Sequence, residues 1–231
     1  VLNDKEVLYS HARDVCKILG VKVGVSAKMP FNLGSGFGIS AALTIAHSIA
    51  ANTLCNGSIL KALQLAHSIE VKYSTGLGDV IAEYLGGFVI RVRAGAPGVG
   101  IAYRIPIKTP TVIVLGEVGN GEPTQSLLSR MSREVITEGE KLLNKIWEYQ
   151  DLQTFFDCAK AFTSRLFNYN RVERLLEGVR GVSGYYLKKS ALVMWIEREF
   201  ADEVVSRLLS KGLRIYPTTL SPTGVQIVDT P

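Results

Sequence analysis

Apolar residues in the first hundred positions change their period several times, and each change marks an element. Val7, Leu8, Ala12, Val15, Ile18 and Leu19 recur about every 3.6 residues, which predicts a helix over residues 5–19 that stops at Gly20. Val21 to Ser26 then alternates, as a half-buried strand does, and ends before a loop at Pro30. From Ile39 or Ser40 to about Leu54 the chain is apolar on nearly every side, so this helix should be buried. Asn56-Gly57-Ser58 turns the chain, and Ser58 is placed to cap a third helix ending near Tyr73. A glycine turn over Ser74 to Asp79 leads to a short helix at Val80 to Tyr84. Strands at Phe88 to Val92 and Ile101 to Ile105 follow, joined by Gly95-Ala96-Pro97-Gly98.

The second half has a different rhythm. Ile107 to Pro110 reads as a linker, and Thr111 to Leu115 as a strand with a polar loop after it. Helical stretches fall near 123–131, 134–148, 151–168 and 170–177. A strand at Ala191 to Ile196, a helix at Glu199 to Lys211, and short strands at Arg214 to Tyr216 and Val225 to Val228 complete the chain. The fold class is therefore α+β in two domains. Residues 1–108 form an α+β unit with central helices, and residues 109–231 a ferredoxin-like sandwich with an enlarged first crossover.

Composition narrows the function classes. With 231 residues and 47% hydrophobic positions the chain has ample material for packed cores. The net charge of +5 is spread along the chain, and its denser places, Lys188-Lys189 and Arg174 to Arg180, lack interleaved aromatics. A nucleic-acid stacking surface is thus not expected, whereas an acidic small-molecule substrate is. Cys16, Cys55 and Cys158 have no metal spacing and cannot all pair, which favours a reducing, cytoplasmic setting. His11, His47 and His67 show no ligand arrangement either, so a zinc site is not expected. No apolar run is long enough to span a bilayer, and no signal-peptide pattern opens the chain.

The chemistry concentrates in Pro30-Phe31-Asn32-Leu33-Gly34-Ser35-Gly36-Phe37-Gly38-Ile39-Ser40-Ala41-Ala42. Alternating glycines let a loop turn its N–H groups, with a helix N-terminus behind them, toward one anion. Ser40 would offer a hydroxyl to phosphate or Mg²⁺. The same glycines would also suit a turn that merely lets a buried helix pack closely. No Lys-Ser/Thr pair closes the loop, so it is not a Walker A motif, and the dinucleotide fingerprint is incomplete. Glu70 lies on an apolar helix face with Ala62, Leu65, Ala66 and Ile69, where a carboxylate needs a metal or a polar partner. Otherwise it is a solvated glutamate paired with Lys72 or Lys61. Asp79, after Gly76-Leu77-Gly78, can accept or orient a substrate hydroxyl proton, or cap the short helix that follows.

Taken together these residues resemble the GHMP kinase superfamily, whose phosphate loop has the form Pro-x-x-x-Gly-Leu-Gly-Ser-Ser-Ala. Gly36-Phe37-Gly38-Ile39-Ser40-Ala41 matches it with Phe for Leu and Ile for the first Ser. Those departures resemble the archaeal pantoate kinase branch. So do Thr75-Gly76-Leu77-Gly78-Asp79-Val80-Ile81-Ala82, Gly86-Gly87-Phe88-Val89-Ile90-Arg91 and Gly95-Ala96-Pro97-Gly98. The resemblance implies a two-domain kinase with a ribosomal-protein-like first domain. It implies ATP phosphates held by Gly34, Gly36, Phe37, Gly38, Ser40 and Ala41, Mg²⁺ on Glu70 and Ser40, and Asp79 as catalytic aspartate. Arg91 and Arg93 become candidates for a substrate carboxylate, and the family's third glycine motif should fall near Arg180-Gly181-Val182-Ser183-Gly184. The implied reaction is ATP-dependent phosphorylation of the primary hydroxyl of pantoate to 4-phosphopantoate, on an archaeal route to coenzyme A. A mevalonate- or homoserine-like substrate, or a non-catalytic RNA- or anion-binding role on the same fold, are the alternatives. A homodimer is also implied. Because the chain opens with Val1 and a helical segment, the family's leading strands are expected to be missing or disordered.

Overall fold

A computed structural model describes residues 1–5, 9–107 and 112–228. Val7 and Leu8 of the first predicted helix, most of the 107–110 linker, Thr111 and the domain cut at 108 lie outside the described residues. The chain forms two compact units. The first comprises Val1–Asn32, Gly38–Ile105 and the segment from Ser221, and the second Leu33–Phe37 and Pro106–Leu220. A single cut near 108 therefore misses two excursions, the glycine loop at 33–37 and the C-terminal segment.

In the first unit, α1 (Ser10–Leu19), α2 (Ile39–Leu54) and α3 (Ile59–Lys72) pack together, followed by α4 (Asp79–Leu85) and the hairpin β1 (Phe88–Arg93) and β2 (Ile101–Ile105). Ala41, Ala51, Ala62 and Ala66 are wholly buried, so small side chains let α2 and α3 approach closely around Ile45, Leu63, Ile69 and Val80. Gly20 ends α1 in the left-handed conformation, and Ser58 accepts a hydrogen bond from the Lys61 N–H at the start of α3. Lys72 and Tyr73 both donate to Asp14, at 2.5 and 2.9 Å, and tie the end of α3 to α1.

Two predicted strands are absent here. Val21 to Ser26 is irregular, and the parallel bridge from Leu2 to Ala27 falls one residue beyond it. Alternation prepares two faces, but a strand exists only where a neighbour supplies a hydrogen-bond ladder. Val225 to Val228 also forms no strand. The Val225 N–H instead donates to the carbonyl of Glu83 at 3.0 Å, near the C-terminal end of α4.

In the second unit, β3 (Val112–Glu117) is followed by α5 (Thr124–Leu128), α6 (Arg133–Tyr149), α7 (Leu152–Thr163) and α8 (Asn170–Leu176). Then come β4 (Val182–Lys188), β5 (Ala191–Ile196), a 3₁₀ turn, α9 (Ala201–Ser210) and β6 (Arg214–Thr219). The sheet order β4-β5-β3-β6, antiparallel throughout, with this β-α-β-β-α-β chain order is the ferredoxin-like arrangement. Its fourth strand is β4, not residues 225–228. The glycines of 181–184 hide that strand in the sequence, and their reason is packing. A Cβ on Gly184 would stand 2.6 Å from the Cβ of Phe156, and one on Gly181 2.2 Å from that of Phe200. Val114, Leu187, Leu192, Met194, Ile196, Val204 and Leu208 form the core between sheet and helices.

Candidate active site

The glycine loop has the backbone its sequence asks for. Gly34, Gly36 and Gly38 all have positive φ, at 87°, 113° and 78°. Residues 33–37 are anchored within the second unit, where the Ser190 N–H and hydroxyl both donate to the Ser35 carbonyl, at 3.1 and 3.2 Å. A Cβ on Gly36 would fall 2.1 Å from the Lys188 carbonyl oxygen, so that position admits only glycine. The buried Ser35 hydroxyl finds no hydrogen-bond partner among the described residues, and Phe37 is half-buried.

In the first unit Gly38 caps α2 without a side-chain hydrogen bond, and the first turn of this 16-residue helix holds no acidic residue. The helix dipole favours negative charge at this end. The turn before α4 presses on the same place. A Cβ on Gly76 would lie 2.6 Å from Glu70 Oε2 and 3.0 Å from the Cβ of Ala41. Asp79 is the first residue of α4, and the cap position belongs to Gly78. Its Cβ would lie 3.9 Å from a Cβ on Gly38, and Glu83 Oε1 would lie 2.5 Å from that same Cβ. Gly38, Ser40, Ala41, Glu70 and Asp79 therefore meet at the N-terminal end of α2.

Glu70 is completely buried. It is not the solvated partner of Lys72 or Lys61, since Lys72 turns to Asp14. Its carboxylate is met by hydroxyls and an amide instead. Ser40 Oγ donates at 3.0 Å to either oxygen, Thr44 Oγ1 at 2.6 Å to Oε1, and Thr75 Oγ1 at 2.7 Å to Oε2, where the Gly76 N–H also donates. Such donors offset much of the cost of taking a charge out of water. His11 Nε2 lies 3.0 Å from Thr75 Oγ1 and 3.5 Å from Glu70 Oε1. Tyr9 places its hydroxyl 2.9 Å from Ser40 Oγ and 3.1 Å from Thr44 Oγ1. The His11 ring is stacked between Tyr9 and Tyr73, with centroids 4.5 and 4.2 Å away.

Burial pushes the Tyr9 phenol up to about 12, although hydrogen bonds with Ser40 and Thr44 oppose it. Burial also holds His11 below its ordinary value, against the pull of the Glu70 charge. His67, one turn before Glu70 on α3, is lowered by burial and then by the Arg91 cation, and its buried Nδ1 has no hydrogen-bond partner among the described residues.

Of the two arginine candidates, only Arg91 reaches this place. Its Nη1 donates to the Leu77 carbonyl at 2.7 Å, and the guanidinium lies over Gly78. Arg93 is exposed and donates to Val99 in its own hairpin at 2.6 Å. Tyr9, His11, Thr44, Thr75 and His67 escaped the sequence reading. Thr44 is four residues beyond Ser40 and His67 three before Glu70, so helical spacing alone could have found those two.

The oxygens of Ser40 and Glu70 are the hard donors that suit Mg²⁺. No group of three or more His, Cys, Asp or Glu among the described residues could hold a metal, so such an ion would draw further ligands from phosphate or water. No helix of the described residues is long and apolar enough to cross a membrane.

Residues 5–87 match the model of the GHMP kinases N terminal domain. The pantoate kinase of Thermococcus kodakarensis is 30% identical over 135 residues, covering 58% of this chain and 45% of that protein. The pantoate kinase of Methanocaldococcus jannaschii is 32% identical over 133 residues, covering 57% and 48%. The matched stretch thus spans about half the length of these relatives. A solved structure described as a phosphotransferase related to the CoA biosynthesis pathway superposes with a TM-score of 0.79 at 23% identity, over 97% of this chain and 78% of that one. L. major mevalonate kinase superposes at 0.64 with 18% identity, over 93% and 76%. Residues 5–87 are thus similar to the GHMP kinases N terminal domain, and the chain shares the fold of these solved structures.

Proposed function

We propose that this chain is an ATP-dependent kinase that phosphorylates the primary hydroxyl of pantoate, giving 4-phosphopantoate for coenzyme A synthesis. The observation that carries this reading is the meeting of Ser40, buried Glu70 and Asp79 at the start of α2. The two pantoate kinase relatives supply the substrate.

Read along the chain, Gly34, Gly36, Phe37, Gly38, Ser40 and Ala41 would face the phosphates of ATP. Ser40 and Glu70 would hold Mg²⁺, which neutralises phosphate charge when bound. Asp79 orients the substrate hydroxyl and takes its proton as the phosphoryl group is transferred. Arg91 spends one of five N–H donors on Leu77 and keeps others for a carboxylate, while the substrate would give His67 Nδ1 the partner it lacks. Positioning and charge neutralisation carry most of the rate enhancement in such a reaction. A cytoplasmic location and a homodimer belong to the same proposal.

The test is ADP release with pantoate, mevalonate and homoserine in parallel, on the wild type and on Asp79→Asn. Pantoate should be preferred, and Asp79→Asn should lower kcat by at least a hundredfold with little change in ATP affinity. Activity on none of the three, or equal losses of kcat and nucleotide binding in the variant, would overturn it.

A further inference from the structure

We propose that Tyr9 and His11, at the start of α1, are positioning residues that hold Ser40 and Glu70 in metal-binding geometry. The inference rests on the kinase reading above and deepens it.

The hydrogen-bond directions are settled by elimination. The Thr75 hydroxyl gives its proton to Glu70 Oε2, so at 3.0 Å it can only accept from His11 Nε2. A chain runs from His11 through Thr75 to one oxygen of Glu70. On the other side, the hydroxyls of Ser40 and Thr44 donate to Glu70, and the Tyr9 hydroxyl lies within 3.1 Å of both and 3.0 Å from the Ser40 carbonyl. Tyr9 and His11 therefore brace opposite flanks of one carboxylate. Their rings stack on each other, and the His11 ring also stacks on Tyr73, the residue that ends α3 and is itself bonded to Asp14 of α1. A carboxylate on a long side chain has freedom to lose when it binds an ion, and bracing removes that cost before binding. Partners of metal ligands typically matter by 10–100-fold in affinity.

The experiment uses the full chain and two readouts. One is the Mg²⁺ concentration that half-activates phosphoryl transfer. The other is direct binding of Mn²⁺·ADP, followed by electron paramagnetic resonance. His11→Phe keeps a ring between Tyr9 and Tyr73 but deletes the donor. It should weaken Mn²⁺·ADP binding and raise the Mg²⁺ midpoint by about tenfold, with kcat at saturating metal less affected. His11→Gln returns a neutral N–H at similar reach and should recover to within about threefold of wild type. Tyr9→Phe removes a hydroxyl only and should shift both readouts in the same sense, which keeps the proposal testable should His11→Phe fail to fold. A structural role alone would lower the thermal midpoint and leave metal binding unchanged. That result, or equal behaviour of the Phe and Gln variants at position 11, overturns the inference while the kinase reading stands. Wild-type protein that transfers no phosphoryl group and binds no Mn²⁺·ADP overturns both.

Discussion

Thr44→Val removes one hydroxyl at the centre of the site. Thr44 is wholly buried and donates to Glu70 Oε1 at 2.6 Å, with the Ser40 carbonyl 2.9 Å and the Tyr9 hydroxyl 3.1 Å from the same Oγ1. Valine has nearly the same shape, so the substitution opens no cavity and its cost is set mainly by the bond to the carboxylate, the strongest of the three. A hydrogen bond to a charged group is worth about 1.5–3 kcal/mol. Oε1 keeps the Ser40 hydroxyl at 3.0 Å and is not orphaned, which puts the expectation near the lower part of that range, about 2 kcal/mol. Thr44→Ser keeps the hydroxyl and loses one methyl, at roughly 1 kcal/mol. Serine should therefore be better tolerated than valine, the reverse of the order hydrophobic burial predicts.

The assay must report on the right unit. Trp147 in α6 and Trp195 in β5 both belong to the second unit, so tryptophan fluorescence would follow the other half of the chain. Hydrogen exchange on peptides from α2 and α3 follows the unit in question. A loss of 2 kcal/mol corresponds to about 30-fold faster exchange of the most protected amides. A double-mutant cycle with Glu70→Gln should return at least about 1 kcal/mol of coupling. Exchange within threefold of wild type for Thr44→Val, or valine better tolerated than serine, would refute the claim that Glu70 is held as a charged acceptor.

Three other outcomes follow from the same geometry. Glu70→Gln can aim its oxygen at the fixed Gly76 N–H while the Ser40 and Thr44 hydroxyls turn to accept, so hydrogen exchange should register a smaller loss than for Glu70→Ala, whose cost is about 3 kcal/mol or more. Both should raise the Mg²⁺ requirement, and an unchanged metal titration removes Glu70 as a ligand. Gly36→Ala forces a Cβ against the Lys188 carbonyl at a φ of 113°, and should cost the second unit about 2 kcal/mol or more in urea unfolding read by tryptophan fluorescence; an unmoved midpoint refutes it. His67 is held below its ordinary 6.5, so the unfolded chain binds the extra proton first, and this contribution to stability is whole above 6.5 and lost as pH falls below it. The thermal midpoint of wild type should therefore drop more between pH 7.5 and 5.5 than that of His67→Gln, and parallel drops would contradict the lowered value.

The sequence exposed what is written in local spacing. The helix at 39–54, the turn at 74–79 and the hairpin at 88–105 were legible because period, caps and glycines act over a few residues. The placing of Glu70 on a buried face came from the apolar residues around it on α3. Failures came where a partner distant in sequence decides. Residues 21–26 have strand alternation but no ladder, and residues 182–188 have a ladder with β5 despite Gly184, which Phe156 requires, and Gly181 just before the strand, which Phe200 requires. Tyr9 and His11 are the strongest case. Nothing within α1 marks either one, because their meaning lies in Ser40 and Thr75, 31 and 64 residues away.

The glycines themselves had two open explanations, close packing or anion binding, and the structure assigns them position by position. Gly36 is required by a backbone carbonyl of the second unit, and Gly76 by the Glu70 carboxylate; neither fact involves a ligand. Glycine spacing alone would therefore be satisfied by a protein that binds nothing. What packing cannot explain is a fully buried carboxylate beside the N-terminus of α2. A fold optimised for stability alone would replace that charge with an apolar side chain, since burying it gains little even when it is well bonded. The four donors around Glu70 reduce the cost of keeping a negative charge at that spot without giving a structural reason for it. Retaining it makes physical sense when a cation with its own phosphate ligands completes the arrangement, which is why the metal titration of Glu70 variants tests the function more directly than any change to the glycine loop.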